Sequence, residues 1–589
     1  MTKQRSRGAL SALIALLMVF LLPSVASSNV VTPKDLINQQ IYGAIIQESQ
    51  AFQTISSVSA MYNAKNGGQF SQRSCTTFSA TDAHCLDADT LIANLVIPVC
   101  RTATDTFCIQ SLDFLKSDGT KETASLVMEA TTQQIPANPT LKTGAGGGVS
   151  VWNAPKSPHT GGNGTYMVTA AVAYSLNKAT SFFSRNSFNV VVSPMDMSQD
   201  AGARQARPCE KAEPSLGGNT NVSFGWACAD NQPNSVTYAK CSQMLDGLCF
   251  MHQDFLAGTK VSLTLRVDNQ LTGWLFGRMS ETQVSVAPID AENNLLTVAG
   301  TAQSVPTLVG YVKKNELDKY PDINAKFQAQ CTMPGFYTTC AKMLESNFFD
   351  GSLGSGRDRF EDFKLFESQM QAYSGNDPDF RQDTNWSFGS TNYNGITSGS
   401  GSCFADKTKL LGLVTTNAPV YDSGPPKITD GTLTYKVAGA HLKADGKLFK
   451  GTYDLAIRSE VARCIYGFST APIQATISVT STDGSTSEVA TETVSERDGW
   501  MRLSAANFTF SSPTIRIKLS QSAPIPVATP SKASSAPTPA ASVPAAATPT
   551  AVKVAPAKAT ASTITCVKGK STKKVTSINP KCPVGFKKK

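Results

Sequence analysis

Fourteen cysteines are the residues of this sequence with the most chemistry to offer, and that chemistry is cross-linking. They are Cys75, Cys85, Cys100, Cys108, Cys209, Cys228, Cys241, Cys249, Cys331, Cys340, Cys403, Cys464, Cys566 and Cys582. The number is even, as a complete set of bridges requires. No two stand in a C-x-x-C or similarly tight zinc spacing, and the four histidines, His84, His159, His252 and His441, are too few to supply metal sites broadly. Structural disulfides in an oxidising compartment are therefore expected, with no metal and no cofactor. Cys403 and Cys464 are the only cysteines between residues 403 and 520 and are expected to pair.

Catalytic patterns are sparse. The sequence contains neither a G-x-S-x-G elbow nor H-E-x-x-H. Ser571 and Lys574 have S-x-x-K spacing but lie in a lysine-rich tail, where nothing would desolvate the amine. None of the four histidines stands in a local nucleophile or base pattern. Glycoside hydrolysis needs only two converging carboxylates, and 44 acidic residues do not single out a pair. Asp358, Glu361 and Asp362 are expected on a solvated helix face. Asp377, Asp379, Asp383 and Asn385 could offer oxygen ligands to calcium from one loop, although without EF-hand spacing; a solvated turn is the plainer expectation. Trp152, Trp226, Trp274, Trp386 and Trp500 could bind glycans on a β scaffold, with core packing as the competing fate. The run Gly144–Gly148 has no lysine after it and is no phosphate loop.

The elements that must position these residues begin with an export signal over 1–28. Lys3, Arg5 and Arg7 precede an apolar run over 9–22, broken by Pro23, with small residues for cleavage after Ala26 or Ser28. A spanning anchor would need about 20 apolar residues. Residues 29–68 are expected to hold an N-terminal helix: Thr32-Pro33 is a start signal, and Ile37, Ile41, Ile45, Phe52, Ile55 and Tyr62 recur near helical spacing. Residues 69–350 form a disulfide-rich β region, with strand patterns at 149–152, 166–174, 188–192, 261–267 and 283–286. It could be two units, about 69–200 and 201–350, because Cys100/Cys108 and Cys241/Cys249 share a spacing and each precedes a strand-like run. Residues 351–402 are expected as a helix followed by an irregular linker. Six or seven strand patterns over 403–520 predict a β-sandwich. Residues 521–562, nearly all Ala, Pro, Ser, Thr and Val, predict a disordered spacer, and 563–589 a small cysteine-looped tail. The fold class is thus mainly β, made of disulfide-stapled domains with one N-terminal helix.

Charge is divided unevenly. The net charge is +9, yet residues 521–589 hold eleven lysines and no acid. Setting those and the three basic signal residues aside leaves 39 basic residues against 44 acidic ones. A mildly acidic body thus carries a strongly basic tail, and Lys568, Lys570, Lys573, Lys574, Lys581, Lys587, Lys588 and Lys589 are its candidate polyanion-binding residues. The expected polyanion is cell-wall or envelope polymer, not nucleic acid, since an exported protein meets the wall first. The body's ligand is not specified by the sequence.

Two segments carry a resemblance. The tail Ile564-Thr565-Cys566-Val567-Lys568-Gly569-Lys570, continuing through Lys573-Lys574-Val575-Thr576 to Asn579-Pro580-Lys581-Cys582-Pro583 and Gly585-Phe586, resembles a terminal motif of exported actinobacterial proteins. There it follows an Ala/Pro/Thr spacer; Phe586 stands here where tyrosine is usual. Residues 409–416, Tyr453-Asp454-Leu455, Ala462-Arg463-Cys464-Ile465-Tyr466-Gly467-Phe468 and Gly499-Trp500 resemble a region of large actinobacterial secreted proteins of unassigned activity. The resemblance implies address and class, with no catalytic residue attached. A surface-structural, adhesive or ligand-binding role is expected, with a secreted hydrolase of polysaccharide or envelope polymer as the alternative.

Overall fold

Short runs of β-branched and aromatic residues, punctuated by Gly, Asn, Asp and Ser, favour strands joined by tight turns. A computed structural model of the chain describes residues 55–62, 71–198 apart from 117 and 131–133, 243–313, 381–390, 409–422, 447–466 and 491–510, with shorter segments elsewhere. The chain divides into two compact units, Met1–Pro524 and Ile525–Lys589. Both are built of strands; the first also holds the eight-residue helix Ser459–Tyr466 (α1).

The first unit grows from two sheets begun early in the chain. β1 (Ser57–Tyr62) and β2 (Thr90–Val96) pair antiparallel and start the larger sheet. β3 (Cys108–Leu115) belongs to the smaller one. β4 (Thr165–Asn177) and β5 (Phe182–Ser198) form a long hairpin beside β2, with a bulge between Arg185 and Ser187. β6 (Lys260–Asp268) then pairs with β3, and β7 (Gly273–Arg278) returns to the larger sheet. The chain turns a corner at Met279 into β8 (Ser280–Pro288), which pairs with β9 (Asn293–Thr301) in the smaller sheet. β10 (Gln303–Lys313) leaves that sheet. β11 (Ser387–Ser390) lies between β5 and β7 in the larger sheet. β12 (Leu410–Thr416) pairs parallel with β7. β13 (Thr432–Ala438) belongs to a third sheet, while β14 (Lys450–Arg458) and β15 (Trp500–Thr509) extend the larger one.

Both faces of the larger sheet are covered. Leu91, Leu95, Val168, Val172, Val190, Leu275 and Leu413 on one face join Leu112, Phe114, Leu263, Leu265 and Val298 of the smaller sheet in one core. On the opposite face, Trp274, Phe276, Leu411, Tyr453 and Leu455 join Tyr421, Tyr435 and Val437 in a second. This double burial explains why β7 and β12 are buried at every residue where alternation would expose half of them. β12 carries one extra residue against β7, Gly273 facing Leu410 and Trp274 facing Gly412, so Leu411 and Leu413 enter different cores. A third core, including Val96, Val149, Met167 and Phe250, closes over the first half of that sheet. The run Gly144–Gly148 serves close packing there: a Cβ on Gly148 would lie 2.4 Å from Ala130 O.

Several expectations change. The N-terminal helix over 29–68 is replaced by strands Ile41–Ile46 and β1. Val58 and Ala60 are buried while Ser57 is exposed and Ser59 intermediate, a two-residue period that the wider spacing of the large apolar residues masked. The expected linker in 351–402 contributes β11, which joins the two halves of the larger sheet and buries Phe388; the adjoining Trp386 is also fully enclosed. Its brevity and Gly/Ser content hid it, yet Gly389 is what lets it approach, since a Cβ there would meet Phe188 O at 2.4 Å. Strands Phe348–Ser352 and Gly356–Arg357 stand at the start of that 351–402 segment. Of the helix expected to open 351–402, Phe363 is buried. The 403–520 strands are not self-contained, because β7 from the preceding region pairs with β12. The two similar cysteine pairs also sit differently: Cys108 opens β3 in the smaller sheet, whereas Cys249 lies in strand Leu248–His252, paired to β5. The signal over 1–28 and residues 522–561 of the spacer lie outside the described residues.

Candidate functional site

Two of the cysteine loops are each closed by more than one device. Cys75 bonds Cys85, and within that loop Asp82 Oδ2 accepts from Thr76 N (3.0 Å), Thr76 Oγ1 (2.7 Å), Thr77 N (2.6 Å) and Thr77 Oγ1 (2.8 Å). Asp82 Oδ1 accepts from His84 N at 2.8 Å. Burial pushes the Asp82 carboxyl up, but the donors from Thr76, Thr77 and His84 together outweigh it and hold the group at about 2. Cys100 bonds Cys108, and Asp105 accepts from Thr102 Oγ1, Thr102 N and Arg101 N. The Thr102 hydroxyl, then the two amides, draw the Asp105 carboxyl below its ordinary range. Cys403 bonds Cys464 on α1, and Cys249 is also disulfide-bonded. No described cysteine is free. Cys209, Cys228, Cys241, Cys331, Cys340 and Cys582 lie outside the described residues, and Cys566 is on a strand of the second unit.

Two histidines stand on neighbouring elements where the sequence showed no pattern. The 157–164 loop packs on the strands that carry Met195 and His252: Thr160 N donates to Asp254 O (2.9 Å), Gln253 N to Pro194 O (3.0 Å), and Met195 faces His252 in register. His159 is buried and accepts from Gly161 N at Nδ1 (3.1 Å), so its proton sits on Nε2, which is buried without a partner. Burial pushes its pKa down, against the pull of Asp196. The arrangement is compact, yet the described residues hold no group of three His, Cys, Asp or Glu able to bind a metal. His84 is exposed and His441 lies outside the described residues.

The same loop holds a serine beside a lysine. Lys116 Nζ donates to Ser157 Oγ (2.6 Å), Ser157 Oγ donates to Glu122 Oε2 (2.7 Å), and Lys116 pairs with Glu122 at 3.6 Å. Burial raises the Glu122 carboxyl, but Ser157, the Lys156 amide and Lys116 outweigh it and keep the carboxylate ionised. Ser157 therefore donates its hydrogen bond to a carboxylate that Lys116 already pairs with. Tyr166 OH also donates to Ser157 O (2.7 Å), so the triplet fastens a loop.

Among the acids, Asp454 stands out. It is buried on β14, accepts from Glu281 N (3.1 Å) and is hydrogen-bonded by Ser504 Oγ. Glu281, with φ 53°, is the second residue of β8, just past the corner at Met279, so Asp454 braces that corner. Desolvation pushes its carboxyl up to about 7 despite these bonds. Asp383 and Asn385, expected in a calcium-type loop, lie instead on strand Arg381–Asn385, with Asp383 facing Val305. Asp358, Glu361, Asp362, Asp377 and Asp379 lie outside the described residues. Trp152, Trp274, Trp386 and Trp500 are all core residues, which removes them from a glycan-binding surface.

The second unit contains a three-stranded sheet in which β16 (Ser562–Lys568) lies between β17 (Ser571–Ser577) and β18 (Lys587–Lys588). Cys566 faces Lys573 on one neighbour and Lys588 on the other; Val567 faces Lys587, and Thr565 faces Lys574. Strands lie about 4.8 Å apart, so the backbone gathers lysines that the sequence spreads over twenty residues. Lys568 closes the hairpin opposite Ser571, and Lys570, Lys581 and Lys589 lie outside the described residues.

No family model matches the chain, and no curated protein or solved structure matches it. Among the described residues no helix is long and apolar enough to cross a membrane.

Proposed function

We propose that this chain is exported and held at the cell envelope as a structural, adhesive or ligand-binding surface protein, with its basic C-terminal unit as the contact for anionic polymer. The observation that carries this reading is the segregation of charge: the unit Ile525–Lys589 holds eleven lysines and no acid, and strand pairing draws five of them onto one small sheet. Disulfides in the body suit an oxidising exterior. The perturbed acids Asp82, Asp105 and Glu122 all hold loops, which favours a scaffold over the alternative of a secreted hydrolase. Within the body, the strands of 403–520 and β7 act together as a two-layer sandwich.

The test is retention of the purified chain on isolated actinobacterial walls. The wild type is expected to sediment with the walls and to be released by about 1 M salt, where the Debye length is about 3 Å. A variant with all eight lysines of 568–589 changed to Gln is expected to stay in solution. Equal sedimentation of the two proteins would refute the electrostatic account.

A further inference from the structure

The first residue of β10 meets β14 through an unusual pair of groups. Thr452 directs its hydroxyl at the side-chain oxygen of Gln303, Oγ1 to Oε1 2.6 Å, across 149 residues of chain. Gln303 is 8 % exposed, and its Nε2 is buried with no hydrogen-bond partner. Both residues are held from their backbones. Thr452 N donates to Asn417 Oδ1 (2.8 Å), Thr452 O accepts from Thr416 Oγ1 (2.8 Å), and Gln303 pairs with Asn385 in a strand ladder. A buried primary amide whose donors find no acceptor is an unfavourable resting state. Turning the amide over would only exchange one orphan for another, since the oxygen would then lose the Thr452 hydroxyl. Expelling the nitrogen removes the orphan and keeps the carbonyl, and a hydroxyl already fixed beside that carbonyl is placed to do so.

We propose that Gln303 and Thr452 form a self-modification site and become joined by an intramolecular ester bond. Thr452 Oγ1 attacks Gln303 Cδ, the Cδ–Nε2 bond breaks, and the hydroxyl proton ends on the departing nitrogen, which leaves as ammonia. No electrons change hands and no co-reactant is required. The product ties β10 to the larger sheet covalently, in a body already stapled by disulfides. It does not depend on the envelope reading.

The experiment is mass spectrometry of the purified full chain, reduced and alkylated, with peptide mapping. The expected result is a branched peptide joining the Gln303 and Thr452 segments, lighter than the sum of its parts by one ammonia. Hydroxylamine is expected to split it and leave a hydroxamate at Gln303. Thr452→Ser is expected to keep the branch and Thr452→Val to lose it. Linear, full-mass peptides for both segments from the folded wild type would overturn the proposal. So would an ammonia deficit that persists in Thr452→Val or maps to other residues. The wild-type map decides the matter even where a variant fails to fold.

Discussion

Replacing Trp386 by alanine should destabilise the first unit more than any surface change. Its side chain is fully enclosed, its indole Nε1 donates to Gly300 O on β9 (3.1 Å), and its ring meets Phe388 edge-on at 5.7 Å. The residue adjoins β11 in the larger sheet and bonds to the smaller one, so it joins the two layers where β5 and β7 would otherwise be unconnected. Truncating a buried tryptophan costs about 3–5 kcal/mol through lost transfer energy and the cavity left behind. The lost hydrogen bond lies within that range at about 1 kcal/mol. Trp386→Phe keeps most of the packing and forfeits the N–H, so about 1–2 kcal/mol is expected. Against a typical total of about 5–15 kcal/mol, the alanine variant is expected to lower the urea midpoint clearly, with an unchanged slope. The measurement is equilibrium unfolding of wild type, Trp386→Phe and Trp386→Ala at one pH. An alanine variant within about 1 kcal/mol of wild type, or equal losses in the two variants, would refute the view that this segment is core.

Two further predictions concern charge and cross-links. Asp454 has its folded pKa raised to about 7 from an ordinary 3.8, so the folded state binds its proton more tightly than the unfolded chain does. The stabilisation this gives is complete below about pH 4 and is lost as pH rises through about 7, a change on the order of 4 kcal/mol. Urea midpoints at pH 5 and pH 8 should therefore differ in the wild type, and the difference should shrink in Asp454→Asn; equal slopes in the two proteins would contradict the burial argument. Removing the Cys403–Cys464 bridge, which spans 61 residues, should cost about 4 kcal/mol, against about 2.5 kcal/mol for Cys100–Cys108, which spans 8. Midpoints of the paired Cys→Ala variants check this order, and a larger loss from the shorter loop would reverse it.

Much of the strand content is visible in local pattern. Residues 166–174 and 261–267 alternate or run apolar in a way that only strands accommodate, and both became long strands at the centre of their sheets. The pairing of Cys403 with Cys464 follows from their isolation in sequence. Other features had no local signal. Asp82 and Asp105 bind amides a few residues away, but nothing in their sequence separates them from solvated turn acids. The 157–164 loop that holds His159 and the strand that holds His252, 93 positions on, are joined through the Thr160–Asp254 and Gln253–Pro194 backbone bonds and the pairing with β5.

The composition of the sequence alone determined that the chain is mainly β and disulfide-bonded, and that its charge divides into an acidic body and a basic tail, because these are properties of residue type summed over length. Tertiary structure decided which segments are core. Ile41–Ile46 and β1 within 29–68 became strands and β11 within 351–402 became the seam of the larger sheet, since a short strand is stabilised by neighbours distant in sequence and not by its own residues. It also decided that Asp454 sits at a corner and that Gln303 meets Thr452, because burial and proximity exist only once the sheets have paired.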